Sequence, residues 1–553
     1  MAIKRHKKGN KVYLAEYKSK RVNGKVVSTY VRYIGRENAD KTVKKSSRSI
    51  DRIESPGSTR AGDVDLLWAI AQDLAIPRII DEMCLPGSSI STGKVLTAWA
   101  INRVVDPESA TQLESWVRTT DIPRLAEIEE KRWTKDLFLD SLDAICYDES
   151  RDRTVDLSPG MDAAIYDGWR KKHPVLEGEK FAYDLTTVLF FGTSCPLAEF
   201  GYNPNHENRR QINIALMVSV EDHQPEYHAV FEGSRTGVTT VKNMLAVLPK
   251  HGGKRDTIIW DRGNISRNNL DDLELAEWYL ISGIPKSVKQ IREILSSACI
   301  DPEPGNFVRK ARSGSVYAHL VHADLYGKKR NIAVYLNAQK RLNESDERNT
   351  ELARIGRELD DLSRKPGDMD EQSIHRQMEK IVGSYSQYIE ARVSRKGEHK
   401  ISWRYRRHAI LASERLDGKS AILCTDPSLK ADEIVNLYLG KDYVEKVFRT
   451  MKTQEEITPV RHHLERSVKA YVFVMVTAYR LMAALVSAMK RTGHEEPWES
   501  AADLLDRLAR VERIELTLGK EKRTWYLNMK RHDAETLNKM GFGNIFNENE
   551  RSK

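Results

Sequence analysis

Between Lys180 and Ile281 two kinds of segment follow one another, and their order constrains the fold more than any other feature of the chain. Phe181-Ala-Tyr-Asp184-Leu-Thr-Thr-Val-Leu-Phe-Phe, Gln211-Ile-Asn-Ile-Ala-Leu-Met-Val-Ser-Val and Tyr227-His-Ala-Val-Phe-Glu are rich in β-branched and aromatic residues, the composition of strands. Three such runs in succession predict an antiparallel meander. A helix candidate follows at Thr240 to Leu248, then a short apolar strand, Thr257-Ile-Ile-Trp260. A helix around Asn268 to Glu277 and a strand at Trp278 to Ile281 complete the run. The order β-β-β-α-β-α-β predicts an α/β unit, a mixed sheet carrying helices.

At 553 residues the chain is too long for one ordinary core. A joint containing Ser, Pro and Gly, Ser46 to Gly62, separates an N-terminal module (1–50) from a helical region (51–165). In that region Leu66, Leu67, Ile70 and Leu74 recur at helical spacing, which fits either a helix-turn-helix-like DNA reader or plain helical packing. The sheet unit occupies 166–285. Residues 286–400 interrupt its rhythm with two strand-like pieces and a charged helical pair hinged at Lys365-Pro-Gly-Asp368, the pattern of a solvated αα-hairpin within an insertion. The sheet unit resumes over 401–490, with a strand at Ala421-Ile-Leu-Cys-Thr425 and a helix from about Lys430 to Lys452. Residues 491–553 form a charged C-terminal region with helical and short strand pieces.

Charge is unevenly distributed. Residues 1–50 hold 15 Lys/Arg against Glu16, Glu37 and Asp40, a net of +12, so the other 503 residues sum to −3. A basic module on a nearly neutral body suits a polyanion. A solvated basic tail would carry the same charge. However, Lys11-Val-Tyr-Leu-Ala-Glu-Tyr and Val26-Val-Ser-Thr-Tyr-Val-Arg-Tyr-Ile alternate around Asn23-Gly24, a strong hairpin signal. A small β-module results, with Tyr13, Tyr17, Tyr30 and Tyr33 among its cations and DNA phosphates as the expected contact. The longest apolar run, Tyr471 to Met489, is broken by Thr477, Arg480 and Ser487 and predicts a buried helix rather than a membrane span. No apolar stretch follows the charged Met1–Lys11, so no secretory signal and a cytoplasmic location are expected. The five cysteines are scattered, which disfavours a disulfide framework or structural zinc.

Three carboxylates stand out because of the elements beneath them. Asp184 lies inside a strand, where aspartate is unfavourable without compensation. Asp261 follows the last apolar residue of another, and Glu445 lies on the helix after the last strand. Meeting at one sheet edge, such residues could hold hard divalent cations, which prefer oxygen donors. At 100° per residue, Tyr438, Lys441, Glu445, Arg449 and Lys452 share one face of the last helix. Leu437, Val444, Val447, Phe448 and Met451 form the adjoining apolar face. Taken alone, that helix is also an ordinary amphipathic one with i, i+4 ion pairs.

The spacing Tyr438-(2)-Lys441-(3)-Glu445-(6)-Lys452 resembles the Tyr-(2)-Arg-(3)-Glu-(6)-Lys signature of bacterial insertion-sequence DDE transposases of the IS4-like superfamily. Tyr183-Asp184-Leu-Thr-Thr is similar to the strand bearing the family's first aspartate, and Trp260-Asp261-Arg-Gly-Asn-Ile-Ser to its second-aspartate segment. Gly201-Tyr-Asn-Pro-Asn-His, Arg210-Gln211, Phe231-Glu-Gly, Thr458-Pro-Val-Arg-His-His and Tyr30-Val-Arg-Tyr-Ile-Gly are similar to further family blocks, so the likeness covers most of the chain.

The resemblance implies an RNase H-like mixed-sheet catalytic domain interrupted by an insertion, beside the N-terminal basic β-module and the helical domain. It implies that Asp184, Asp261 and Glu445 bind two Mg²⁺ or Mn²⁺ ions, with Asp184 bridging, for cleavage at transposon ends and transfer of the freed 3′-hydroxyl strands into target DNA. Tyr438, Lys441 and Lys452 are then expected on DNA phosphates, and Arg449 by position. Lys441 stands where the family has arginine, keeping charge but losing the bidentate fork. Double-stranded DNA is the implied partner, a homodimer the implied state in the complex, and no membrane is involved. A metal-dependent nuclease without strand transfer and an inactive DNA-binding relative share the same acids.

Overall fold

The computed structural model describes residues 2–546 apart from 9–10, 23–24, 38–42, 46–52, 55–56, 87–88, 151–152, 176–177, 191–193, 204–206, 248–254, 312–313, 365–369, 395–399, 442–461 and 519–520. At the N-terminus β1 (Ala2–Lys8), β2 (Lys11–Val22), β3 (Lys25–Glu37) and β4 (Val43–Lys45) form an antiparallel sheet in chain order. Val22 pairs with Lys25, the two-residue closure that Asn-Gly favours. Cations and rings interleave on it: Lys4 Nζ lies 4.8 Å from the Tyr17 ring, which meets Tyr30 edge-on at 5.7 Å.

β5 (Ile53–Glu54) and β6 (Ser58–Arg60) lead, among the described residues, into seven α-helices between Gly62 and Lys172, interrupted by the hairpin of β7 (Cys146–Ser150) and β8 (Arg153–Asp156). The central ten-stranded sheet begins with β9 (Lys180–Leu189), β10 (Glu199–Phe200), β11 (Arg210–Ser219) and β12 (Pro225–Glu232). It continues through β13 (Thr257–Trp260), β14 (Tyr279–Ile284), β15 (Phe307–Ala311), β16 (Gly314–Leu325) and β17 (Lys328–Asn337). The helical pair Ala338–Arg364 and Glu371–Val382 and the hairpin of β18 (Ile389–Ser394) and β19 (Lys400–Tyr405) stand off the sheet, and β20 (Lys419–Cys424) returns to it. Strand order is β10-β11-β9-β13-β14-β20-β17-β16-β15, with β12 also on β11. β9, β13 and β14 are parallel neighbours, and every other pairing is antiparallel. The meander and the α-β-α-β run after it therefore stand as the sequence predicts.

The strands within 286–400 differ from a detached insertion. β15 to β17 extend the central sheet, because β17 covers the edge of β20 that would otherwise expose unpaired backbone groups. The helical pair and β18–β19 do have their own core, in which Leu352, Ile355 and Leu359 face Ile374 and Met378. Arg348 fixes the base of this arm by two bonds to Asp417, at 2.8 and 2.6 Å.

Alternation along the strands gives the sheet two apolar faces. Phe181, Tyr183, Met217, Trp260, Leu280, Ile332 and Leu423 occupy one, beneath the helices Gly237–Val247, Arg267–Leu275 and Lys289–Ser297. The opposite face is shared. Ala182, Ile212, Ile214 and Leu216 join the helical core, whereas Ile259, Ile281, Ala333 and Ile422 pack with Ile434 and Val435 of the helix Ala431–Gly440.

The helix Glu465–Arg491 runs through the helical core against Thr92–Val105, Lys135–Ile145 and Pro497–Leu508, and every residue from Ala470 to Met489 is buried. Among the described residues it is the one helix long and apolar enough to cross a membrane, and its apolar stretch is wholly covered by protein. Its single deeply buried cation, Arg480, donates to Asp162 Oδ1 at 2.9 Å, and the other Asp162 oxygen bonds His228 on β12. Three elements from distant parts of the chain meet there. The C-terminal hairpin, β21 (Glu512–Leu518) and β22 (Glu521–Leu527), pairs back onto β5 and β6, so residues more than 450 positions apart meet in one small sheet.

Candidate active site

Strand register brings two of the three acids together. β9 and β13 run parallel with Trp260 opposite Tyr183, so Asp261, the next residue, follows opposite Asp184. Tyr183 and Trp260 point into the first core, so Asp184 and Asp261 emerge together on the other face, beyond Ala182 and Ile259. On the far side of β13, Trp260 pairs with Ser282 of β14, which puts Gly283 next to Asp261. Gly283 pairs in turn with Ile422 of β20. Asp184, Asp261, Gly283 and Ile422 thus form one row across four strands.

The helix Ala431–Gly440 lies on this face. A glutamate at its third position, Glu433, accepts from the Lys430 backbone amide at 2.8 Å and fixes the helix start. Buried Ile434 and Val435 hold it to the sheet, and one turn later Tyr438 reaches the acid row. The Tyr438 hydroxyl donates to Asp261 Oδ1 at 3.1 Å, and Lys441 Nζ sits 2.7 Å from the same oxygen. The Asp261 side chain is 46% exposed and that of Lys441 only 14%. Among the described residues no partner sits on Asp261 Oδ2. Burial, followed by the adjacent Asp261 charge, pushes the Tyr438 phenol well above its ordinary pKa, so it remains a neutral donor. Asp184 Oδ1 accepts from the Leu185 backbone amide at 2.8 Å.

The donor chemistry suits a divalent cation. Two carboxylates on neighbouring strands concentrate negative charge, and one already holds an ammonium group against its oxygen, so the place attracts a cation. Among the described residues no group of three or more His, Cys, Asp or Glu surrounds a common point, and a third oxygen ligand must come from elsewhere. Glu445, Arg449 and Lys452 lie outside the described residues, and the helix predicted to run from Lys430 to Lys452 is described only through Gly440. Of the expected site residues, the structure thus brings together Asp184, Asp261, Tyr438 and Lys441. Lys441 is found on Asp261, a contact that helical spacing alone could not distinguish from one facing solvent. Sequence reasoning missed Gly283. Its signal was a lone glycine inside a strand, which marks close approach by another group.

The sequence pattern of the transposase DDE domain family matches residues 177–481, more than half of the chain. The chain belongs to that family. The match opens just before β9, contains both aspartates, the helix bearing Tyr438 and the segment with Glu445, and closes within the buried helix Glu465–Arg491. As a DDE transposase the protein cleaves DNA and transfers strands, and such enzymes generally use divalent metal ions. Among solved structures, the chain is similar to a piggyBac transposase synaptic complex with hairpin DNA, at 11% identity and a TM-score of 0.35, over 89% of this chain and 88% of that one. No curated protein matches.

Proposed function

We propose that transposition by this protein is carried by Asp184, Asp261 and Glu445, holding two Mg²⁺ or Mn²⁺ ions in an RNase H-like domain. The observation that carries this reading is the acid row, in which Asp184 and Asp261 share one face of adjacent parallel strands and Asp261 pairs with the Lys441 ammonium group. Bound there, the ions would activate the attacking water or 3′-hydroxyl and stabilise the leaving 3′ oxygen. The protein's own task is to hold the carboxylates in fixed register, which the strand pairing does, and to deliver DNA to them. Lys441, Arg449 and Lys452, with Tyr438 beside them, supply contacts to the phosphates flanking the cut. For that, Lys441 must exchange Asp261 for a phosphate oxygen. Its single ammonium group can do so without breaking the paired bonds an arginine fork would form.

The substrate is the pair of transposon ends, cut hydrolytically, followed by attack of the freed 3′-hydroxyls on target DNA. Juxtaposing two ends favours a homodimer in the DNA complex, and the IS4-like spacing around Tyr438 supports that subgroup. The basic β-module of residues 1–50 is assigned to DNA contacts outside the catalytic domain, the helical region 51–165 either to DNA contacts or to plain packing, and the catalytic domain to 166–285 and 401–490 together with β15 to β17, which complete its sheet. The segment 286–400 carries the arm, 491–553 closes the chain, and the reaction takes place in the cytoplasm.

The test uses duplex DNA carrying the short inverted repeats expected to bracket the gene. The parent protein yields free 3′-ends and joined products, whereas Asp184→Ala binds the duplex without cutting it. Cleavage by Asp184→Ala at the parental rate removes the catalytic assignment. Free ends without joined product identify a nuclease, and binding without cleavage by the parent identifies an inactive relative.

A further inference from the structure

Gly283 occupies a position where glycine is costly. β14 is hydrogen-bonded on both sides, to β13 and β20, and a glycine inside such a strand weakens it by giving up conformational freedom and side-chain packing. Its backbone does not ask for glycine, because it is absent from the residues with positive φ. What requires it is space. A Cβ at this position would stand 2.3 Å from Tyr438 Oη and 2.9 Å from Cζ, well inside contact distance. Ile434 and Val435, one turn earlier, are fully buried against the sheet and hold the helix in place, and from its seat over Gly283 the Tyr438 Oη reaches Asp261 Oδ1 at 3.1 Å.

We propose that Gly283 is a positioning residue for the cleavage reaction: its missing side chain seats the Tyr438 hydroxyl, which orients the Asp261 carboxylate. The proposal rests on the reading of Asp261 as a metal ligand. With Tyr438 and Lys441 both on Oδ1, the carboxylate is held by one oxygen, and among the described residues Oδ2 is left for a ligand. Hydrogen bonds that orient a ligating carboxylate typically change metal affinity or activity by about 10–100-fold when removed. Tyr438 accordingly has a role on the protein side of the site, apart from any contact with DNA.

The experiment compares Gly283→Ala, Tyr438→Phe, the double variant and Asp261→Asn. Mn²⁺ binding to the DNA-free protein is followed by the resonance signal of free Mn²⁺, alongside nicking of supercoiled plasmid and thermal unfolding of the metal-free protein. Gly283→Ala and Tyr438→Phe should each weaken Mn²⁺ binding about tenfold and slow nicking with it. The double variant should bind Mn²⁺ no worse than Tyr438→Phe alone, since a ring without the hydroxyl no longer orients Asp261 wherever the added methyl pushes it. A purely structural glycine would give losses that multiply, and that outcome overturns the proposal, as does parental Mn²⁺ binding by Tyr438→Phe. If Gly283→Ala folds poorly, combining it with Tyr438→Leu, which removes the ring as well as the hydroxyl, should restore folding, and failure to restore it counts against the proposal. Asp261→Asn separates the two levels. Parental metal binding in that variant removes the metal-site reading, whereas its loss together with normal behaviour of Tyr438→Phe removes only the role of Gly283.

Discussion

Replacing Asp162 by asparagine should unfold the protein more readily than any surface change, and the size of the effect follows from its surroundings. Asp162, His228 and Arg480 are all 1% exposed or less. Arg480 Nη2 lies 2.9 Å from Asp162 Oδ1, where two unit charges attract by ~6 kcal/mol at an effective dielectric of ~20. Burial of both ions opposes most of that gain, so the intact pair contributes little net stability. Losing one partner is different. The substitution strands a guanidinium whose Nε and Nη1 already have no hydrogen-bond partner among the described residues. Removing one member of a buried pair costs about 3–5 kcal/mol, or a fall of about 10 °C in the midpoint of a domain-sized transition. Urea and thermal unfolding followed by far-ultraviolet circular dichroism measure it. The paired change Asp162→Leu with Arg480→Met should recover part of the loss, since the guanidinium is gone and only the buried His228 imidazole, which then stays neutral, has lost its partner. A single substitution within about 0.5 kcal/mol of the parent, the range of ordinary surface changes, would refute the reasoning.

Three further outcomes follow from charge and burial. Burial alone would lower the pKa of His228, but the charge and hydrogen bond of Asp162 outweigh it and the net shift is upward. Its stabilising contribution is therefore complete below the unfolded value of about 6.5 and is lost as pH rises through the higher folded value. His228→Gln should flatten that alkaline decline in a series of unfolding curves. His462, packed beside Trp99 and Tyr471, is pushed down to about 4 by burial and then by His463. The unfolded chain then takes up a proton the folded one refuses, so up to about 3 kcal/mol is lost as pH falls from 6.5 toward 4, and His462→Phe should remove that slope. In the N-terminal module Lys7, Lys18 and Arg21 are exposed. Changing all three to glutamine should lower the slope of log binding constant against log salt by up to about 3, at about 0.9 per phosphate contact, with no reduction if the module does not touch DNA.

Much of the sheet and half of the site were legible in the sequence because their signals are local. Runs rich in β-branched and aromatic residues marked β9, β11 and β12, and an aspartate after Thr257-Ile-Ile-Trp260 announced a side chain at a strand end. Parallel pairing of β9 with β13 then aligned Asp184 with Asp261, a consequence of topology that no local run of residues carries. The features that escaped depend on contacts between distant segments. Glu465–Arg491 is apolar all round and carries no face to show which elements surround it, so its central place among helices 300 residues earlier had no local mark. The C-terminal hairpin is charged and short, and its pairing with β5 and β6 and the contact of Tyr526 with Asp65 give it a place. The same holds for Gly283, whose reason for being glycine is a tyrosine 155 positions away.

The central claim is that Asp184, Asp261 and Glu445 hold divalent ions in common, and localised oxidation tests it without requiring a DNA substrate. Fe²⁺ is loaded in place of Mg²⁺, and hydroxyl radicals generated with ascorbate and peroxide cut the polypeptide next to the bound iron. The account predicts fragments ending near residues 184, 261 and 445, suppressed by excess Mg²⁺ and absent from the double variant Asp184→Asn, Asp261→Asn. Cutting at other positions, or an unchanged pattern in that variant, would contradict it.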